Sequence, residues 1–175
     1  MTAPKQYTTF YKKPTRTWYD FHFIDFSQKS CEAVEQYPQA AESAEKVCKV
    51  LEAEIDEIGD SRRCFVGGFS MGGFIVALAW KKFNKPLGGL IIYSSMSGNN
   101  LSINSEQEAS PVLLSHGLED NFSPYEEIRK QNIGLENGKR RICQVLREGL
   151  GHGVDRRIQV ETRSFIEGAL HSPNL

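Results

Sequence analysis

The stretch Gly67-Gly68-Phe69-Ser70-Met71-Gly72-Gly73, "GGFSMGG", decides how this chain is read. Four glycines surround one serine, with an apolar run on either side. Ordering a glycine costs conformational entropy, so this density marks a backbone that turns sharply or is approached closely. Upstream, "CFVGGF" is short and rich in β-forming residues. Downstream, "MGGFIVALAWKKF" is too long for a buried strand and apolar nearly all round, which is the pattern of a buried helix. Ser70 therefore stands at a strand-to-helix turn, and Gly68-Phe69-Ser70-Met71-Gly72 fits the G-x-S-x-G nucleophile elbow. Glycines two before and two after the serine keep side chains from colliding across such a turn. The serine lies at the positive end of the following helix, where the Met71 N–H is a candidate oxyanion donor. The same motif also serves as a glycine-rich turn of purely structural use, so its partners decide.

Working outward, a stripe at Ala40, Ala44, Val47, Leu51, Ile55 and Ile58 predicts an amphipathic helix ended by Gly59. "LGGLIIYSS" (Leu87 to Ser95) and "PVLLSHG" (Pro111 to Gly117) read as buried strands of a parallel sheet. Ser97 to Ser110 reads as a polar loop. "SPYEEIRKQNI" opens with Ser123 as N-cap, Pro124 at the first helical position and acids in the first turn. "RICQVLRE" alternates as a strand does, with Ile142, Gln144 and Leu146 on one face. "VDRRIQVETRSFIEGAL" gives a last helix with Ile158, Phe165, Ile166 and Ala169 inward. Strands alternating with helices predict one α/β domain over residues 1–175 with a mostly parallel sheet, helices on both faces and chemistry at the carboxyl ends of its strands.

A serine needs a base, and the base a carboxylate to orient it. After "PVLLSHG" come Glu119 and Asp120; after "RICQVLREG" comes His152 between Gly151 and Gly153. This is the order Ser, acid, His of α/β-hydrolases, with all three at strand ends on one sheet edge. Asp120 is preferred as the acid, Glu119 competes with it, and Asp120 could instead cap the following helix. The flanking glycines, by clearing space around the ring, favour His152 as the base over a plain loop histidine. His116, closing an apolar strand, reads as a structural histidine, and His22 and His171 have no partner pattern.

The remaining composition excludes other classes. The net charge of -1 gives no general pull toward nucleic acid or an anionic membrane. Cys31, Cys48, Cys64 and Cys143 form no C-x-x-C pair and read as reduced thiols. No signal peptide, lipidation signature or apolar run long enough to span a membrane is present, so a cytoplasmic protein without an integral membrane segment is expected.

Taken together, "VGGFSMGG", "SHGLEDNFSP" and "GLGHGV" before an amphipathic C-terminal helix resemble the acyl-protein thioesterase, lysophospholipase and carboxylesterase family of small α/β-hydrolases. The resemblance extends upstream through "TAPKQYTTFYKKPTRTWYDF", with Trp18-Tyr19-Asp20 at a Trp-Phe-Asp-like motif. It implies an α/β-hydrolase fold with Ser70 as nucleophile, Asp120 as acid, His152 as base, and no metal or organic cofactor. It also implies substrates among acylated proteins, lysophospholipids and small esters. The family's pattern begins earlier, with a strand ending in a His-Gly-x-Gly-Asp loop that supplies the second oxyanion N–H. A chain lacking those N-terminal strands is therefore expected, with an open edge beside the nucleophile strand. The alternatives are a weakly active or inactive relative that binds acylated partners, and an unstable fragment. The aromatic stretch "WYDFHFIDF" from Trp18 is assigned either to an acyl groove or to the core.

Overall fold

The structure, a computed structural model, describes residues 1–21, 38–98, 102–136 and 139–171. In chain order its elements are β1 (Lys5–Thr8), β2 (Lys13–Arg16), α1 (Pro38–Ile58), β3 (Phe65–Phe69), α2 (Met71–Lys82), β4 (Gly89–Tyr93), β5 (Val112–Gly117), α3 (Tyr125–Glu136), β6 (Ile142–Arg147) and α4 (Arg156–Leu170). Strands β3, β4, β5 and β6 lie in that order in one sheet, every pair parallel. Strands β1 and β2 form a separate antiparallel hairpin.

The strands alternate between two apolar clusters, as a period of two requires. Val66, Leu90, Ile92, Val112 and Leu114 face one side, where α1, α2 and α3 contribute Leu51, Trp80, Phe74, Ile128 and Leu135. Ile91 and Leu113 face the other, against Phe165 of α4 and the partly buried Phe65 and Ile166. Helices thus cover both faces of a buried parallel sheet.

Register aligns the sheet edge that carries the site. Phe69 pairs with Tyr93, Tyr93 with Ser115, and Ser115 with Val145. The carboxyl ends of β3, β5 and β6 therefore open at one level, with Ser70, Asp120 and His152 in the segments that follow them. The Ser70 N–H donates to Tyr93 O, so by strand alternation the N–H and C=O groups of Gly67 and Phe69 face away from β4. Among the described residues no strand pairs on that outer side.

Two local expectations need correction, those for Ile58 and Ser123, and one is refined. Ile58, placed in the helical stripe, is exposed, because Gly59 (φ 79) ends α1 just beyond it and the last turn overhangs the core. The described part of the polar segment from Ser97 is the expected loop, with a short 3-10 turn at Ser105–Gln107, but it is partly interior: Ser97, Gln107 and Ser110 are buried, and Gln107 Nε2 donates to Phe83 O and Lys85 O. Ser123 does not cap α3; its hydroxyl is drawn elsewhere, as described below. Tyr19 joins the core and Trp18 and Phe21 pack against it, whereas His22, Phe23 and Cys31 lie outside the described residues. Cys48, Cys64 and Cys143 are free thiols. No described helix is long and apolar enough to cross a membrane.

Candidate active site

Ser70 ends β3 and begins α2 with φ 53 and ψ -127, a conformation rare for a residue with a side chain. The glycine two residues before it is required by space. A Cβ on Gly68 would lie 2.7 Å from Gly73 N and closer still to the Gly72 backbone. Gly72 is less constrained, since its Cβ would meet only Trp18 Nε1 at 3.3 Å. Gly73 is the tighter of the two, its Cβ meeting Ser95 Cβ at 2.6 Å. Met71 and Gly72 open α2, and N–H groups in a helix's first turn lack an intrahelical acceptor. The Met71 side chain is gripped from the N-terminal segment: Trp18 N–H donates to its sulfur at 3.4 Å, and the Thr17 hydroxyl, which gives its proton to Tyr19 O at 2.6 Å, lies 3.1 Å from the same sulfur.

The three predicted residues meet in one hydrogen-bonded chain. Asp120 Oδ2 accepts from His152 Nδ1 at 2.7 Å, and His152 Nε2 stands 2.9 Å from Ser70 Oγ. A carboxylate only accepts, so the proton of the neutral imidazole sits on Nδ1 and Nε2 is left to accept from Ser70. The Asp120 side chain is wholly buried. Its other oxygen accepts from Phe122 N (3.0 Å) and Ser123 N (2.8 Å), so the aspartate both shapes its own turn and reaches the histidine. Glu119 is exposed and takes no part in this chain. His171 is exposed at the end of α4, with Nδ1 2.6 Å from Glu167 O.

The glycines beside His152 do not clear its ring. A Cβ on Gly153 would meet open space, and one on Gly151 only Glu119 O at 3.6 Å. The ring is instead flanked by Phe69 and Phe122, with centroids 4.8 and 4.9 Å away. The crowded glycine is Gly117, where a Cβ would lie 2.7 Å from Leu150 C. That close approach brings the acid loop and the histidine loop together.

Two side chains that the sequence did not mark as functional complete the cluster. His116 is buried, and its Nε2–H donates to Ser123 O at 2.8 Å with Asp120 Oδ2 at 3.3 Å. Burial pushes its pKa down, against the opposing pull of the Ser123 carbonyl and Asp120. Ser123 Oγ lies 3.2 Å from His152 Nδ1. A cavity of about 370 Å³ adjoins Ser70, walled by Tyr11, Trp18, Phe21, Phe74, Met96 and Phe122.

This site lies on a chain that matches the Phospholipase/Carboxylesterase family over residues 1–169. The chain belongs to the phospholipase/carboxylesterase family. Among curated relatives of this family it is 28% identical over 162 residues to a protein of Oryza sativa subsp. japonica named "Probable carboxylesterase". That match takes in 88% of this chain and 58% of the relative. It is 25% identical over 138 residues to acyl-protein thioesterase 1 of Eremothecium gossypii, covering 74% of this chain and 57% of that one. The chain thus spans under three fifths of the length of these two relatives. Among solved structures, Arabidopsis thaliana SOBER1 superposes with a TM-score of 0.79 at 22% identity, over 97% of this chain and 81% of that one. Zea mays acyl-protein thioesterase 2 gives 0.74 at 20% identity, over 97% and 79%. These likenesses show a shared α/β fold, a central sheet with flanking helices.

Proposed function

We propose that this chain is a serine hydrolase that cleaves carboxylic esters or thioesters through an acyl-enzyme. The observation that carries the reading is the chain Ser70 Oγ, His152 Nε2, His152 Nδ1, Asp120 Oδ2, with its 2.9 and 2.7 Å links. Family membership supports the reaction class, and the aromatic-walled cavity beside Ser70 supports an acyl group as the part of the substrate that is bound.

In this reading His152 Nε2 takes the Ser70 proton as Oγ attacks the carbonyl carbon. The oxyanion forms at the start of α2, where the Met71 N–H donates to it. His152, now protonated and balanced by Asp120, gives its proton to the leaving alcohol or thiol. Water enters by the same route in reverse, and the carboxylic acid leaves. Acylated protein cysteines, lysophospholipids and small soluble esters all present this carbonyl, in a cytoplasmic setting or at a membrane surface.

Ser123 is a second serine on the same histidine, which favours a second reading in which it is the nucleophile. Against it, Ser123 shares Nδ1 with Asp120, the nitrogen whose proton the carboxylate already holds. Ser70 faces the nitrogen that is free to accept.

Labelling with a fluorophosphonate probe, read by intact mass and peptide mapping, tests both readings. We expect near-stoichiometric modification of Ser70, lost in Ser70→Ala and reduced at least about a thousandfold in rate in His152→Ala. Modification of Ser123 would replace this nucleophile with the other. A cooperatively folded chain that takes no label would remove the enzyme reading and favour a relative that only binds acylated partners. With labelling established, a panel of acyl thioesters and oxoesters of graded chain length identifies the substrate.

A further inference from the structure

A serine before a proline at a helix start normally turns its hydroxyl onto the helix's free N–H groups. Ser123 does not. Its backbone is pinned on both sides, the N–H donating to Asp120 Oδ1 at 2.8 Å and the C=O accepting from His116 Nε2 at 2.8 Å. The residue is only 2% exposed. So held, its Oγ is delivered 3.2 Å from His152 Nδ1. That nitrogen carries one proton, given mainly to Asp120 Oδ2 at 2.7 Å, so the serine oxygen is the weaker of two acceptors on a shared N–H. Ser123 also lines the cavity beside Ser70.

The consequence concerns tautomers. Without an acceptor at Nδ1 the imidazole proton can move to Nε2, and a protonated Nε2 cannot take the Ser70 proton. A second fixed acceptor resists that exchange. Resting on the Ser70–His152–Asp120 reading above, we infer that Ser123 is a positioning residue that holds His152 in its working tautomer beside Asp120, and that it becomes the acceptor of the Nδ1 proton when Asp120 is removed. His116 is the strut behind it, since it fixes the Ser123 carbonyl and touches the same carboxylate oxygen.

The test is a double-substitution cycle on labelling rate with the fluorophosphonate probe, using wild type, Ser123→Ala, Asp120→Ala and the double variant. Losing a minor neutral hydrogen bond costs about fivefold in rate, so Ser123→Ala alone should slow labelling by that order. Once Ser123 is the only acceptor for a developing imidazolium, the same change should cost about ten- to a hundredfold. Equal factors in the two backgrounds, or no effect in either, would overturn the inference. The second measurement depends neither on turnover nor on the Asp120 variant folding: the ¹H–¹⁵N signal of His152 Nδ1–H in wild type and Ser123→Ala. Relieved of a shared acceptor, the proton should move downfield as its bond to Asp120 strengthens. An unmoved signal would sink the inference even if the hydrolase reading stood, whereas an unlabelled wild type with the shift present would sink only the hydrolase reading.

Discussion

His116 shows how a single buried side chain ties the site to solution conditions. Its Nε2–H is donated to Ser123 O and lies against Asp120 Oδ2, with the Tyr125 ring centred 5.7 Å away. Burial holds its pKa below the ordinary histidine value, so the native state keeps it neutral where an unfolded chain, titrating near about 6.5, takes up a proton. A depressed folded pKa means that the unfolded state binds more protons between the two values. The stability from a neutral His116 is therefore complete above about pH 6.5 and is lost as pH falls below it. Urea unfolding at about pH 7.5 and about pH 5.5 should show wild type losing more stability than His116→Asn across that interval. Equal losses would mean that His116 titrates alike in both states. At this scale the sequence exposed the residues that sit in motifs: Ser70 in its glycine frame, Asp120 and His152 each after an apolar strand. It hid Ser123, whose local pattern, serine then proline then acids, is a cap signature. The pull of His152, 29 residues further on, overrides that signature.

At the scale of elements, the β3-to-α2 turn sets the geometry of the site, and its glycines are not equivalent. A Cβ at Gly68 would run into the backbone of Gly72 and Gly73, which are fixed by the first turn of α2. At Gly153, beside His152, a Cβ would meet nothing. Gly68→Ala should therefore cost about 1–3 kcal/mol and lower labelling of Ser70 sharply. Gly153→Ala should change neither measurably. Thermal melting together with probe labelling decides it, and a sensitive Gly153 would restore the role in clearing space that the sequence suggested. Core elements were legible because apolar runs and amphipathic stripes state their own burial. The β1–β2 hairpin was not legible, since Lys13-Pro14-Thr15-Arg16 carries no apolar alternation. Beyond its own ladder, its turn and the segment that follows it are tied to residues further along the chain. Thr9 gives both its N–H (2.7 Å) and its hydroxyl (2.6 Å) to Asp20, and Ser43 Oγ–H donates to Trp18 O at 2.6 Å.

Across the whole molecule the sheet divides the apolar interior unequally, and the smaller half carries the histidine. On the larger side α1, α2 and α3 share one extended cluster. On the other, α4 buries Ile158, Phe165 and Ala169, of which Phe165 meets Phe65 edge-on at 6.4 Å and packs with Ile91 and Leu113. The loop bearing His152 runs from β6 into α4. Its two ends are joined by Arg147 Nε to Asp155 Oδ2 at 3.4 Å, while Asp155 Oδ1 caps α4 by accepting from Ile158 N at 2.8 Å. That cap is the main cause of the lowered Asp155 pKa. Loosening α4 therefore reaches His152 directly, whereas Leu135 lies at the far end of α3 from the turn that carries Asp120 and Ser123. Phe165→Ala and Leu135→Ala each remove a buried side chain at a cost of about 2–5 kcal/mol, a melting temperature lower by about 5–15 °C. Measured where both variants remain folded, Phe165→Ala should also slow labelling of Ser70, because the His152 loop loses its anchorage. Leu135→Ala should label at nearly the wild-type rate. If the two variants lose stability and reactivity in the same proportion, the site follows global stability, and the coupling of α4 to His152 is wrong.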